Sequence, residues 1–224
     1  MSTHVKKLPI LGLGLLGCAT TQPQEPALHH HGSAHHGFKD AAAWSREFDD
    51  PARDAWQRPD DVVGWMELAP GMVAADIGAG TGYFEARLAR AVGASGKVFA
   101  LDVEQDMVTF MKDRFTREGT SNVEARLCPF DSTGLEPASV DRVLIVDTWH
   151  HISERDAYAK HLAEVLRPGG TVTIVDFTKT SDKGPPPEHR VDPETAIGEL
   201  TRGGFTAKLV DESLPDQYVV VGRK

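Results

Sequence analysis

The stretch Val73-Ala-Ala-Asp-Ile-Gly-Ala-Gly-Thr-Gly-Tyr-Phe84 decides the fold of this chain. A short apolar run ends in an acidic residue, and glycine follows at every second position, 78, 80 and 82. This pattern is typical of a β-strand that turns sharply into a helix around a nucleotide-type cofactor, because glycine lets the backbone approach a ligand closely. The dinucleotide fingerprint G-x-G-x-x-G needs glycine at position 83, where this chain has Tyr83. The loop therefore disfavours NAD and favours a cofactor without a pyrophosphate group.

Length and composition are those of one α/β domain with a substantial core. The chain has 224 residues, of which 40% are hydrophobic and 25% charged. Its formal net charge is −9, whereas nucleic-acid binders usually carry a basic patch, so we expect no nucleic-acid partner. Two cysteines, Cys18 and Cys128, do not make a disulfide-stapled scaffold, and we expect Cys128 to be a free, buried thiol.

Residues 1–17 have the pattern of a bacterial signal peptide. Lys6 and Lys7 precede an apolar segment, residues 8–17, that is too short to span a bilayer. The segment ends in Leu15-Leu-Gly-Cys18, which resembles a lipoprotein signal and implies cleavage before Cys18 and acylation of that residue. Several acyl chains on one residue give stable anchoring. We therefore expect a protein anchored by lipid at the bacterial cell envelope; the alternative is an ordinary secretory signal with an incidental cysteine.

Residues 18–37 are predicted to be a tether, because they are polar and lack apolar periodicity. Histidines at positions 29–31, 35 and 36 can bind Zn²⁺ or Cu²⁺, but no Asp, Glu or Cys lies among them to complete a defined geometry. We favour a flexible polar linker and expect no metal site.

The rest of the sequence alternates between helical and strand patterns, which predicts a mostly parallel sheet covered on both faces. Residues 38–69 are expected to form a cover of two or three short helices. Further helices are predicted at 83–92, at 104–118, from a capping box of Ser153 and Asp156 to 166, and after Asp192-Pro193. Strands are predicted at 72–77, 97–101, 123–127, 140–146 and 171–177, with a final hairpin at 207–211 and 217–221.

Four motifs together resemble the class I S-adenosylmethionine-dependent methyltransferases. They are Ala75-Asp-Ile-Gly-Ala-Gly-Thr-Gly82, Ala100-Leu-Asp102, Asp141-Arg-Val-Leu-Ile-Val-Asp147 and Leu166-Arg-Pro-Gly-Gly170, in the family's order. The resemblance covers residues 70–224. It implies a Rossmann-like, doubly wound sheet of seven mostly parallel strands with an antiparallel last strand, and S-adenosyl-L-methionine as cofactor.

The resemblance and the residue chemistry together suggest which residues hold the cofactor. Asp76 is expected to accept the cofactor's ammonium group, directly or through water, and Asp102 both ribose hydroxyls. After the third strand the family often has an acidic residue for the adenine amino group, but this chain has Pro129. Asp131 is the substitute that we expect, with Phe130 against the ring. The remaining cofactor contacts are predicted at Gly78, Ala79, Gly80, Gly82, Val103, Met107 and Asp147.

The loop after the fourth strand, Asp147-Thr-Trp-His-His-Ile152, is where an acceptor is expected to meet the methyl group. His150 or His151 can remove a proton from the acceptor, or either can simply pack at the start of the next helix. Asp147 is expected to contact substrate or cofactor. Aromatic residues at 44, 48, 56 and 65 and the segment 188–190 form either a lid or ordinary core and surface.

The sequence thus predicts a methyltransferase that acts on a small molecule or lipid. One alternative is an envelope protein that holds S-adenosylmethionine or S-adenosylhomocysteine without turnover, since this cofactor is made in the cytoplasm. Another is a metal-handling lipoprotein that uses the histidine tract. An NAD oxidoreductase is disfavoured by Tyr83. The sequence carries no signal of an oligomeric state.

Overall fold

The computed structural model describes Met1, residues 40–210 and residues 214–224. The predicted signal peptide with Cys18, the histidine tract and Asp211, at the end of a predicted strand, lie outside the described residues. Among the residues described, no helix is long and apolar enough to cross a membrane.

Seven strands form one sheet in the order β3-β2-β1-β4-β5-β7-β6. The pairs among β1 to β5 are parallel, whereas β7 is antiparallel to both β5 and β6. The predicted sheet, with its antiparallel last strand, is confirmed. The strands are β1 (Val73–Ile77), β2 (Lys97–Asp102), β3 (Val123–Leu127), β4 (Val140–Val146), β5 (Leu166–Phe177), β6 (Thr206–Leu209) and β7 (Gln217–Arg223).

Helices precede the sheet and connect its strands. Three short helices form the N-terminal cover, as the pattern interrupted by Pro51 and Pro59 predicts. The helices are α1 (Ala41–Phe48), α2 (Arg53–Gln57), α3 (Pro59–Trp65), α4 (Glu85–Val92), α5 (Gln105–Glu118), α6 (Arg155–Val165) and α7 (Pro193–Arg202). Single 3₁₀ turns lie at Trp149–His151 and Pro187–His189.

Most element boundaries agree with the prediction to within two residues, and two of the differences have a local cause. Helix α4 begins at Glu85, two residues later than expected, because the residues before it are still in the turn after the glycines. Strand β5 begins at Leu166, because Leu166 pairs with Val140 before an irregularity in register at the Pro-Gly-Gly segment.

The predicted capping box at Ser153 is wrong. Helix α6 begins at Arg155, and Glu154 precedes it without a side-chain cap. Asp156 instead accepts hydrogen bonds from Arg202 of α7 at 2.8 Å, so a contact between neighbouring helices replaces the local one. Pro193 does occupy the first turn of α7 after Asp192, as predicted, but the Asp192 side chain makes no cap bond.

The core lies on both faces of the sheet. Residues 143–145 of β4 are fully buried, which matches their continuous apolar run. One face packs under Trp149, Leu162 and Leu200, and the other under α3 and α4. Because β1, β2, β4 and β5 are parallel, their carboxyl ends meet at one edge of the sheet, where ligands bind in folds of this kind.

Candidate active site

Four aspartates stand at the carboxyl ends of four parallel strands. Asp76 lies near the end of β1, Asp102 ends β2, Asp147 follows β4 and Asp176 lies near the end of β5. Asp76, Asp102 and Asp176 are buried, with exposed fractions of 3%, 7% and 0%. Buried carboxylates are costly unless they are paired or await a ligand, so this edge is the candidate site. Sequence analysis predicted three of these residues and missed Asp176, although it too is an acid at the end of an apolar strand.

The glycine loop lies against the end of β2. The amides of Gly78 and Ala79 donate to the carbonyl of Leu101 at 2.8 and 3.0 Å. Gly78 has φ +75°, and a Cβ atom there would lie 2.2 Å from Thr148 Oγ1, so no larger residue fits. A Cβ at Gly82 would lie 3.0 Å from the Phe115 ring, so this glycine lets the loop pack on α5.

Asp102 is held by the loop that it faces. One carboxylate oxygen accepts the amide of Gly80 at 2.8 Å, and the other accepts the amide of Glu104 at 2.9 Å. Burial raises the pKa of Asp102 to about 6 in spite of these bonds. The group is still mainly ionised at neutral pH, as a hydrogen-bond acceptor for ribose hydroxyls has to be.

Asp76 has an acidic neighbour that sequence analysis missed. Glu85, the first residue of α4, is completely buried, and its carboxyl group faces that of Asp76 within hydrogen-bonding reach. Burial raises the pKa of Asp76 to about 7. The sequence gives one hint of this role, which is that Glu85 is an acidic residue three positions after Gly82.

The other predicted cofactor residues divide into two groups. Val103 is half-buried next to Asp102, and Met107 is buried with an exposed fraction of 1%. Phe130 and Asp131, in contrast, are exposed, and 65% of Phe130 is accessible to solvent. The structure therefore brings Val103 to the edge of the site and does not enclose Phe130 or Asp131.

The residues at this edge fit S-adenosylmethionine. The glycine loop offers backbone without side chains, Asp102 offers an acceptor for hydroxyl groups, and the buried carboxyl groups of Asp76 and Glu85 suit a cation. When bound, the cofactor supplies a methyl group on a sulfonium, which needs no further activation by the protein.

His150 is paired with Asp176. Its Nδ1 atom lies 2.8 and 3.0 Å from the two carboxyl oxygens, and its backbone amide donates to the same group at 3.2 Å. An ionised carboxylate can only accept, so Nδ1 carries the proton and Nε2 is left with a lone pair. The pair therefore has the arrangement of a general base with an orienting acid.

His151 is a weaker candidate. Its ring lies 4.1 Å from that of His150, centroid to centroid. His151 is exposed as a residue, although partial desolvation of its ring and the neighbouring His150 lower its pKa to about 4. Of the two histidines, which the sequence left equal, His150 is the one with the Asp176 carboxylate on its Nδ1 atom.

Asp147 links the strand ends to the N-terminal cover. It has φ +52°, an unusual conformation for a residue other than glycine. Gln217 Nε2 donates to Oδ1 at 2.5 Å, and an Arg53 nitrogen lies 3.6 Å from Oδ2. Burial raises the pKa of Asp147 to about 7, while the charge of Arg53 opposes the shift. These partners come from α2 and β7, which the sequence does not reveal.

Arg53 and Tyr83 fasten the cover to the glycine loop. The Arg53 guanidinium carbon lies 4.2 Å from the Tyr83 ring centroid, and the Tyr83 hydroxyl donates to Asp54. Tyr83, which excluded the NAD fingerprint, therefore serves as the anchor of α2.

The four aromatic residues considered for a lid, at positions 44, 48, 56 and 65, do not all lie at the site. Trp56 of α2 lies 5.9 Å from Phe177 at the end of β5, and Trp44 stacks on Phe48 at 5.3 Å. The Phe48 ring lies 3.5 Å from where a Cβ of Gly80 would be, so α1 covers the loop. Trp65 instead packs against the core.

The segment 188–190 is a surface loop with a structural anchor. Glu188 and His189 are exposed, whereas Arg190 is buried. Arg190 donates to the carbonyls of Thr178, Ser181, Lys183 and Pro185 at 2.6 to 2.8 Å. Its role is to hold the loop after β5 together.

No metal site is found in residues 40–210 and 214–224, where no three metal-binding side chains come together. The histidine tract lies outside these residues. Cys128 is a free, buried thiol, as predicted, and burial raises its pKa to about 12.

Comparisons with known proteins agree with this geometry. Residues 74–170 match a family described as a methyltransferase domain. The ubiquinone/menaquinone biosynthesis C-methyltransferase UbiE of Hydrogenovibrio crunogenus is 29% identical over 127 residues, which cover 56% of this chain and 49% of that protein. The UbiE protein of Stenotrophomonas maltophilia is 26% identical over 171 residues, with 67% of each chain covered. This chain spans about half the length of most of the curated relatives it matches.

A solved structure extends the match across the domain. The crystal structure of a SAM-dependent methyltransferase from Aquifex aeolicus has a TM-score of 0.76 and 29% sequence identity, and the match covers 82% of this chain and 98% of that chain. These comparisons confirm the predicted fold, and they support a methyltransferase domain with S-adenosyl-L-methionine as its cofactor.

Proposed function

We propose that this chain, whose residues 74–170 form an S-adenosylmethionine-dependent methyltransferase domain, methylates a small molecule or lipid at the bacterial cell envelope. The acceptor is a carbon or a weakly acidic hydroxyl that must lose a proton as it is methylated. The His150–Asp176 pair is the observation that carries this proposal.

The pair supplies what such an acceptor needs. Methyl transfer is an in-line displacement, in which the acceptor atom bonds to the methyl carbon as the bond from carbon to sulfur breaks. His150 Nε2 takes the proton of the acceptor, and Asp176 stabilises the resulting imidazolium through Nδ1. The glycine loop and the cover position the reactants and exclude water.

The surroundings suit an acceptor with an apolar or aromatic body. Trp56 and Phe177 face each other where α2 meets the end of β5, and the Lys183 ammonium lies 5.7 Å from the Trp56 ring centroid. The relatives named above are C-methyltransferases of quinone biosynthesis, which supports a carbon acceptor on a lipid-soluble molecule. Acylation of Cys18 would place the domain beside such molecules.

Transfer of a labelled methyl group tests the proposal. The full chain is incubated with methyl-labelled S-adenosylmethionine and an envelope extract, and the lipid phase is then counted. We expect label in an extractable small molecule or lipid. Binding of the cofactor with no label transferred to any compound would contradict the proposal and indicate a binding protein.

Three variants test the base once an acceptor is found. His150→Ala should lower kcat about 100-fold or more, which is the usual contribution of a general base, and leave the affinity for S-adenosylhomocysteine within about threefold. Added imidazole should restore part of this rate, which a merely structural loss would not allow.

Two further variants, at the hydrogen-bond partner Asp176 and at the adjacent residue His151, serve as comparisons. Asp176→Asn, which spoils the tautomer, should lower kcat without a matching change in KM. His151→Gln should cost much less than His150→Ala. A larger loss in His151→Gln, with imidazole rescue there, would reassign the base.

A further inference from the structure

The buried acid pair beneath the glycine loop is not explained by the fold. Glu85 is completely buried, and 3% of Asp76 is exposed. Glu85 Oε2 lies 3.5 Å from where a Cβ of Gly82 would be, so the carboxyl group is under the loop that receives the cofactor. The hydrogen bonds of the Glu85 carboxyl group are with its own backbone amide and with the Asp76 carboxyl group, and no cationic side chain among the described residues donates to it. A buried structural carboxylate normally has more partners than these.

The charges around the pair are few. Asp76 faces Glu85 from α4, Arg53 from α2 and Asp102 from β2. Glu85 faces Asp76 from β1 and Arg114 from α5. Arg114 is itself occupied, since it binds Asp49 at 2.8 Å and Glu118 at 2.9 Å. Two buried negative charges are therefore not balanced by a cation of their own.

One proton resolves the conflict while no ligand is bound. A protonated Glu85 can donate to Asp76, and burial together with the charge of Asp76 raises the pKa of Glu85 well above its usual range. The hydrogen bond from Glu85 lowers the pKa of Asp76, but burial outweighs it and leaves that pKa at about 7. The two carboxyl groups of Asp76 and Glu85 thus share a proton at a position where a bound cation could replace it.

We infer that Glu85 is a second carboxylate of the subsite that receives the cofactor's ammonium group, and that this ammonium takes the place of the proton held between Asp76 and Glu85. The inference rests on the proposed use of S-adenosylmethionine and deepens it. Its consequence is that binding of the amino-acid end of the cofactor releases a proton.

Calorimetry on the full chain in detergent tests this without turnover. S-adenosylhomocysteine carries the ammonium group, whereas methylthioadenosine lacks the amino-acid end. Because binding displaces a proton from the pair, wild-type affinity for S-adenosylhomocysteine should rise from pH 6 to pH 8, by up to about tenfold per pH unit while the pair stays protonated. Titrations in two buffers of different ionisation enthalpy should show proton release. Any dependence that Asp102 contributes is common to both ligands, so methylthioadenosine provides the baseline.

The variant Glu85→Gln keeps the size of the side chain and donates permanently to Asp76. Relative to methylthioadenosine, its affinity for S-adenosylhomocysteine at pH 8 should fall about tenfold, and the rise between pH 6 and pH 8 should disappear. Glu164→Gln, at an exposed position on α6, is the matched control and should behave like the wild type.

Thermal unfolding without ligand gives a second measurement. A carboxyl group whose pKa is raised in the folded state stabilises less as the pH rises towards that pKa. Glu85→Gln should therefore unfold at a higher temperature than the wild type at pH 8, with a smaller difference at pH 6.

Two results would distinguish a failure of this inference from a failure of the proposed function. If Glu85→Gln binds S-adenosylhomocysteine as the wild type does at both pH values, the inference is wrong and the proposed function stands. If the wild type shows the linked proton release but never transfers a methyl group, the inference stands and the proposed function is wrong.

Discussion

Asp102 shows how a single strand-end residue can be tested. Its two oxygens accept the backbone amides of Gly80 and Glu104. In Asp102→Asn, one of these backbone amides would face the NH₂ group of the new side chain, which cannot accept its hydrogen bond. The negative charge that is expected to accept the ribose hydroxyls would also be lost. Hydrogen bonds to charged groups contribute about 1.5–3 kcal/mol, so we expect the affinity for S-adenosylhomocysteine to fall about 10- to 100-fold. Calorimetry measures this loss.

The control for Asp102 is another aspartate that changes the charge equally. Asp113→Asn, at an exposed position on α5, should bind S-adenosylhomocysteine within about twofold of the wild type. A similar loss in both variants would mean that net charge, rather than contact with the ribose, controls the affinity.

At the scale of elements, Tyr83 fastens α2 to the glycine loop through Asp54. We expect Tyr83→Phe to lose about 1 kcal/mol of unfolding free energy, because the ring stays under Arg53 but the hydrogen bond is removed. The loss should be local, since short cover helices open before the sheet does. Hydrogen exchange followed by mass spectrometry should therefore speed up in residues 41–57 and remain unchanged in β4.

Tyr218 provides the matched control on β7. Its hydroxyl is buried and has no hydrogen-bond partner among the described residues, so Tyr218→Phe should be neutral or stabilising. Equal exchange in residues 41–57 of Tyr83→Phe and of the wild type would show that other contacts hold α2.

Element patterns explain why some features were predictable and others were not. Local sequence signals allowed the sheet and the edge with the candidate site to be predicted. These signals are the apolar run of β4, the glycine spacing after β1 and the Pro-Gly-Gly segment. Gln57 hydrogen-bonds Gln217, and Arg53 faces Asp147, across the whole length of the domain. Such pairs leave no trace in local periodicity. The contact between Glu85 and Asp76 is not visible in the sequence either, because Asp76 looks like an ordinary acid at the end of a strand and Glu85 like one at the start of a helix.

At the scale of the whole molecule, the site depends on both ends of the described chain. Helix α2 supplies Arg53 and Gln57, and β7 supplies Gln217, while the acids come from the strands between them. The cover therefore contributes side chains to the candidate site.

The anchor itself is tested by the two cysteines of the chain. Cys18 follows the signal pattern, whereas Cys128 is buried, with its pKa raised to about 12 by burial, and is a poor site for modification. In a bacterial host, the wild type and Cys128→Ser should sediment with membranes and incorporate labelled fatty acid. Cys18→Ser should lose the label, because acyl chains on that residue supply the anchoring. Label retained in Cys18→Ser would contradict a lipoprotein, and the chain would then be an ordinary exported or internal methyltransferase.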